Sequence, residues 1–123
     1  MPSQYSIQVR DQDGITIISL LGEQTFEAGM PEFRDKMRAK LDAKQHRFVI
    51  DFGGHEGTSR IDSSFVGELF YFHKEATNRT GGRFLLAGIN AEVSKTFQLT
   101  GDLFDRFQTF QTAEEAWVAI RDE

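Results

Sequence analysis

The sequence contains no cysteine, which excludes disulfide bonds, thiolate catalysis and Cys-based zinc sites and fits a reducing, cytoplasmic compartment. No run approaches the roughly 18 to 20 apolar residues that a membrane-spanning helix needs, and residues 1–10 show no signal-peptide core. Basic residues are also scarce: 14 Lys and Arg stand against 19 Asp and Glu, giving a formal net charge of −5, with no basic block. Nucleic-acid grooves depend on cations that neutralise phosphates. The sequence therefore predicts no nucleic-acid partner and no membrane insertion.

What is present is the composition of an ordinary globular protein, with 39% hydrophobic and 27% charged residues. A chain of 123 residues can bury roughly two-thirds of its unfolded surface, and no repeat, linker or low-complexity segment divides it. Residues 1–123 are thus predicted to form a single domain. Phenylalanine is unusually common, at 12 of 123 residues. Any exposed ring would indicate a partner surface, including one between two copies in a homodimer.

Short β-like segments alternate with longer helix-like segments along the chain. Two apolar runs around Asp13-Gly14 predict a hairpin, and the nearly continuous apolar runs at 48–52 and 84–87 predict buried strands. Helices are predicted at 30–44, from 63 onward, at 91–99 and at 112–121, with a short strand before the last. Strands alternating with helices imply right-handed crossovers. The predicted fold is α/β, with a mixed, mostly parallel sheet of four to five strands, an antiparallel edge and about four flanking helices.

Asp62, Ser63 and Ser64 stand directly before an amphipathic helix, beyond the carboxyl end of a predicted strand. Parallel sheets gather functional groups in such loops. The ordinary interpretation is helix capping, because the oxygens of these side chains accept bonds from free backbone N–H groups. Phosphorylation is the functional alternative: a phosphate at a helix start is favoured by those N–H groups and by the helix dipole. It adds about −1.5 to −2 charges, so it would change binding while the fold remained intact.

The same helix carries apolar residues beside its start. Phe65 and Leu69 belong to the stripe that should face the sheet, whereas Val66 and Phe70 lie on the flank that also carries Ser63. This flank either binds a partner or packs under a neighbouring helix. We predict Phe65, Val66 and Phe70 as partner-binding residues.

Enzymatic and metal-dependent alternatives have weaker support. Residues 53–59 are glycine-rich after a strand but lack the lysine of a P-loop and the GxGxxG spacing. Asp51, His55 and Ser63 could be arranged as a hydrolase triad, yet no GxSxG elbow surrounds any serine. The three histidines have neither HExxH spacing nor carboxylates at coordinating intervals. The sequence predicts no enzyme, no cofactor and no metal site.

Several segments, in this order and spacing, resemble the STAS-domain family, in particular the bacterial anti-sigma-factor antagonists. The matching segments are residues 15–23, Phe33-Arg34, 49–52 followed by Asp62-Ser63-Ser64, 81–87, 93–97, 99–101 and 113–116. The resemblance spans nearly the whole chain and implies the STAS fold.

The resemblance also implies a function. In that family the serine after the aspartate, here Ser63, is phosphorylated by an anti-sigma-factor serine kinase, an ATPase of the histidine-kinase type, and dephosphorylated by a PP2C-type phosphatase. The unphosphorylated antagonist binds the kinase and the phosphorylated form is released. Asp62 would keep the site acidic and position it, and Ser64 would be a neighbour or cap. Relatives in stressosomes and lipid-transport ABC complexes keep the fold without this cycle, so a non-switching scaffold or subunit is the alternative.

Three departures from the family pattern bear on partner recognition. Phe65 stands where the family usually has glycine, which makes the helix start bulkier. Gln24-Thr25 replaces a segment that usually supplies an aspartate near the phosphorylation site. The spacing from Asp51 to Asp62 is longer than usual and passes through residues 53–57, a loop that is expected to recognise an unusual partner.

Overall fold

The structure is a computed structural model that describes residues 4–123, the side chain of Leu103 excepted. Residues 1–3 of the predicted domain lie outside the described residues. The strands are β1 (Tyr5–Gln12), β2 (Ile15–Gln24), β3 (Arg47–Asp51), β4 (Thr58–Ile61), β5 (Arg83–Ala87) and β6 (Gln108–Phe110). The helices are α1 (Met30–Asp42), α2 (Ser63–Thr77), α3 (Ala91–Gln98) and α4 (Ala113–Arg121), with short 3₁₀ turns at Gly54–Glu56 and Gly101–Arg106.

The strands form one six-stranded sheet in the order β1-β2-β3-β5-β6, with β4 paired to β2 outside this path. The hairpin of β1 and β2 is antiparallel, and the other pairings are parallel. Asp13 and Gly14 both have positive φ, as a two-residue hairpin turn requires. The predicted fold class is confirmed, and the sheet has one strand more than the predicted range.

The additional strand, β4, pairs with the same neighbour as β3, namely β2. Thr16–Ser19 of β2 pair with β3, and Gly22–Gln24 of β2 pair with β4, with a register shift between Gly22 and Glu23. Only Asp62 separates the end of β4 from the first residue of α2. The start of α2 is therefore attached to the sheet through backbone hydrogen bonds.

Helices cover both faces of the sheet unequally. One face packs against α1, α2 and α3 around a core that includes Phe33, Phe48 and Phe72, and the other face packs against α4 through Ile17 and Ile120. Among the twelve phenylalanines, all in the described part of the chain, eight are buried, three are half-buried and one is exposed. Most of the aromatic surplus thus forms the core. Within residues 4–123 no helix is long and apolar enough to cross a membrane.

Candidate functional site

The site lies at the start of α2, where the sequence places an aspartate and two serines. Ser63 is the first residue of the helix, and both Ser63 and Ser64 are exposed. Asp62 is the N-cap: its Oδ1 accepts a hydrogen bond of 2.9 Å from the Phe65 backbone N–H. The N–H groups of Ser63 and Ser64 belong to the first turn and have no partner within the helix. An exposed hydroxyl thus lies beside donors that favour an anion.

The other carboxylate oxygen of Asp62 contacts a different part of the chain. Oδ2 accepts a hydrogen bond of 3.0 Å from the backbone N–H of Phe26, in the turn between β2 and α1. The side chain of Phe26 is 61% exposed. One carboxylate therefore joins the start of α2 to a turn that presents an aromatic ring.

Charged pairs flank the serines along the chain. Arg60 of β4 pairs with Glu23 at 2.9 Å, and Arg34 of α1 pairs with Glu68 of α2 at 2.6 Å. The hydrogen bond that Arg34 donates to the Glu68 carboxylate raises the pKa of the Arg34 guanidinium above its ordinary value. Because carboxylates already engage both arginines, neither is a free cation awaiting a phosphate.

The comparison with family models matches the chain to the STAS domain over residues 6–116. This match spans both the sheet and the α2 site. The chain belongs to the STAS-domain family. None of the curated proteins compared with it matches its sequence.

Solved structures of anti-sigma-factor antagonists share this STAS fold. One from Mycobacterium paratuberculosis superimposes with a TM-score of 0.82 at 20% identity, covering 96% of this chain and 95% of that one. SpoIIAA in its unphosphorylated form gives a TM-score of 0.77 at 24% identity, with coverage of 96% and 98%. Bacillus SpoIIAA in the phosphorylated form gives 0.73 at 24% identity, with coverage of 94% and 100%. At these identities the likeness establishes the fold.

The predicted partner-binding residues of this STAS domain do not form one exposed flank. Phe65 is 0% and Val66 is 2% exposed, and the Phe65 ring packs 5.0 Å from that of Phe33. Phe70 is half-buried against Phe107, with ring centroids 4.7 Å apart. We correct the prediction for Phe65 and Val66, which belong to the core because neighbouring elements cover this flank of α2. Only Phe70 keeps a partly accessible ring.

The longer loop of this STAS domain is held internally rather than projecting. Asn90 Nδ2 donates to the carbonyl oxygens of Gly54 at 2.9 Å and Thr58 at 2.7 Å, while Asn90 Oδ1 caps α3 by accepting from Val93 N–H at 2.9 Å. The buried Thr58 hydroxyl donates to the Leu20 carbonyl at 2.8 Å, so it is unavailable for modification. Hydrogen bonds within the domain thus hold the loop between β3 and β4 in place.

Gln24 and Thr25, which replace the family's acidic segment, are both buried. Gln24 Nε2 donates to the Leu21 carbonyl at 3.0 Å, and its Oε1 has no hydrogen-bond partner among the described residues. Thr25 Oγ1 accepts from the Ala28 N–H at 3.3 Å and so shapes the turn that carries Phe26. Sequence reasoning missed Phe26, because the sequence of this short segment between β2 and α1 does not show whether the ring is exposed or buried.

The structure does not assemble the hydrolase triad. The Asp51 carboxylate accepts from the Gly53 N–H at 2.8 Å, and no hydrogen bond within residues 4–123 joins His55 to Asp51 or Ser63. A groove of about 510 Å³ opens at the carboxyl ends of β3, β5 and β6, but its described lining is uncharged. No cluster of three potential metal-ligating side chains occurs in the described part of the chain. The exposed hydroxyl therefore lies on α2, apart from this groove.

Proposed function

We propose that this STAS domain is a phosphorylation-controlled protein-binding switch of the anti-sigma-factor-antagonist type, modified on Ser63. Unphosphorylated, it binds an anti-sigma-factor serine kinase, an ATPase of the histidine-kinase type; phosphorylated, it is released, and a PP2C-type phosphatase restores the first state. The observation that carries the proposal is the exposed Ser63 hydroxyl at the first position of α2, next to the capping Asp62.

The geometry supports a change of binding without a change of fold. The Ser63 side chain is exposed and takes no part in the core, so a phosphate there displaces no packed group. It would add about −1.5 to −2 charges beside the carboxylate of Asp62, which already accepts two backbone bonds. Any apolar or acidic partner surface that covers Ser63 would then face a charge that must be desolvated.

The likeness to SpoIIAA is consistent with this proposal. That protein has been solved in both an unphosphorylated and a phosphorylated form, and both structures superimpose on this chain over at least 94% of its length. A STAS scaffold of this shape can therefore carry the modification in a relative.

Intact-mass analysis tests the proposal. The chain is incubated with ATP and a purified histidine-kinase-type serine kinase from the same genome, and we expect the mass of one phosphate to be gained. Ser63→Ala should abolish this gain, whereas the matched variants Ser64→Ala and Ser59→Ala, which remove exposed hydroxyls nearby, should retain it. Failure of every such kinase to add phosphate would instead favour the non-switching scaffold or transport subunit.

A second experiment tests the consequence of the modification. Ser63→Asp should fold as the parent does, because the substituted side chain is exposed and an acidic residue suits the first helical turn. It should bind the kinase more weakly than the parent in isothermal titration. Equal affinity would contradict the proposed mechanism.

A further inference from the structure

We propose that Asp62 is a positioning residue that holds Phe26 and Ser63 together as one docking surface, with the Phe26 ring as the apolar anchor for the serine kinase. This inference rests on the proposed function and adds the residues that recognise the partner. It assigns to Asp62 a role in geometry rather than in acidity.

The Phe26 ring is exposed on a backbone that is fixed. Thr25 and Ala28 exchange two backbone hydrogen bonds across the turn, of 2.5 and 3.1 Å, and the N–H of Met30 donates to the Thr25 carbonyl at 3.2 Å. Thr25 is 5% exposed and Ala28 is 4% exposed, so both ends of the turn pack against the rest of the domain. A ring presented on such a turn loses little conformational freedom on binding, which favours its use as an anchor.

Asp62 connects this turn to the phosphorylation site. Its Oδ2 accepts from Phe26 N–H at 3.0 Å and its Oδ1 from Phe65 N–H at 2.9 Å, so the two oxygens serve two segments that are distant in sequence. Aspartate is required for this double role. Asparagine caps a helix equally well but would turn its amide N–H toward the N–H of Phe26.

The surface predicts the chemistry of the kinase that covers it. An apolar pocket would receive the ring, and its rim would avoid acidic groups, because Glu27 is exposed next to Phe26 and the Asp62 carboxylate is bonded to the Phe26 backbone. Because Asp62 accepts a bond from the Phe26 backbone and directly precedes Ser63, a kinase that binds the Phe26 ring would also cover the start of α2. Phosphate on Ser63 would then have to lose water for the ring to dock, which explains release by phosphorylation.

Amide hydrogen exchange on the isolated chain tests the clamp. In Asp62→Asn we expect the Phe26 amide to exchange about tenfold faster, since one hydrogen bond is replaced by facing donors, while the Phe65 amide keeps its protection. Glu27→Gln is the matched control: it removes one charge from the same turn, and the Glu27 carboxylate makes no hydrogen bond or ion pair among residues 4–123. Unchanged Phe26 exchange in Asp62→Asn would overturn the inference.

Titration with the purified serine kinase tests the docking surface. Phe26→Ala should fold normally and weaken binding by about tenfold or more, as aromatic anchors do. Asp62→Asn should also weaken it. Parental affinity in Phe26→Ala would refute the anchor. If the parent chain is neither phosphorylated nor bound, the proposed function fails, while the exchange experiment still decides the clamp.

Discussion

Replacement of Asn90 should destabilise the domain more than loss of an ordinary helix cap. Its side chain caps α3 and also donates to the carbonyls of Gly54 and Thr58 at 2.9 and 2.7 Å. The cap contributes about 1 kcal/mol, and each of the two further hydrogen bonds contributes about 1 kcal/mol. Asn90→Ala should therefore lower the free energy of unfolding by about 3 kcal/mol.

Thr112 provides the matched control, because it caps α4 through one hydrogen bond of 3.1 Å to the Glu115 N–H. Thr112→Ala should cost about 1 kcal/mol in urea denaturation, leaving a difference of about 2 kcal/mol from Asn90→Ala. Asn90→Asp separates the roles further: it keeps the cap acceptor but directs a carboxylate oxygen at two carbonyls, so it too should be strongly destabilising. If Asn90→Ala were no less stable than Thr112→Ala, the anchoring role of Asn90 would be refuted.

Three further predictions concern packing and pH. Burial, and then the charge of Arg106, lower the pKa of His73 below 6.5, so the folded state binds fewer protons than the unfolded chain just below that pH. The free energy of unfolding should therefore fall as the pH is lowered from 7 toward the folded pKa. His73→Phe should flatten this pH dependence in urea titrations at several pH values. Gly57→Ala should destabilise the domain in thermal unfolding, because the added Cβ would overlap the Phe52 carbonyl oxygen; a Tm equal to the parent's would contradict this geometry. Phe65→Ala should cost about 3 to 5 kcal/mol in urea denaturation, a large core truncation, whereas a loss below about 1 kcal/mol would show that Phe65 is not a core residue.

Most of the fold could be predicted because its elements carry strong periodicities. The helix predicted at 30–44 is observed at Met30–Asp42, and the strands at 48–52 and 84–87 are each found within one residue at either end. The strand β4 was missed because its four residues, Thr58–Ile61, include one large apolar side chain and no alternation. Its pairing with the far end of β2 contains a register shift that local sequence does not reveal.

The site could be predicted only in part, for a related reason. An aspartate before two serines and an apolar run is a local pattern, and Asp62 does cap α2. The bond from Phe26 to Asp62 joins residues separated by 36 positions, so no local pattern predicts it. Helical periodicity placed Val66 on the flank of α2. Neighbouring elements cover that flank, and the periodicity of one helix does not show how much of its surface other elements cover.

The short passage from β4 through Asp62 into α2 has a mechanical consequence. Since β4 is hydrogen-bonded to β2, the backbone ladder ties Asp62 and the first turn of α2 to the sheet. Core substitutions that loosen α4, which packs on the opposite face of the sheet, should lower the melting temperature while leaving the exposure of the Ser63 hydroxyl unaltered at temperatures where the chain stays folded. Substitutions in that part of the core would then change the site less than substitutions in the four-residue strand β4.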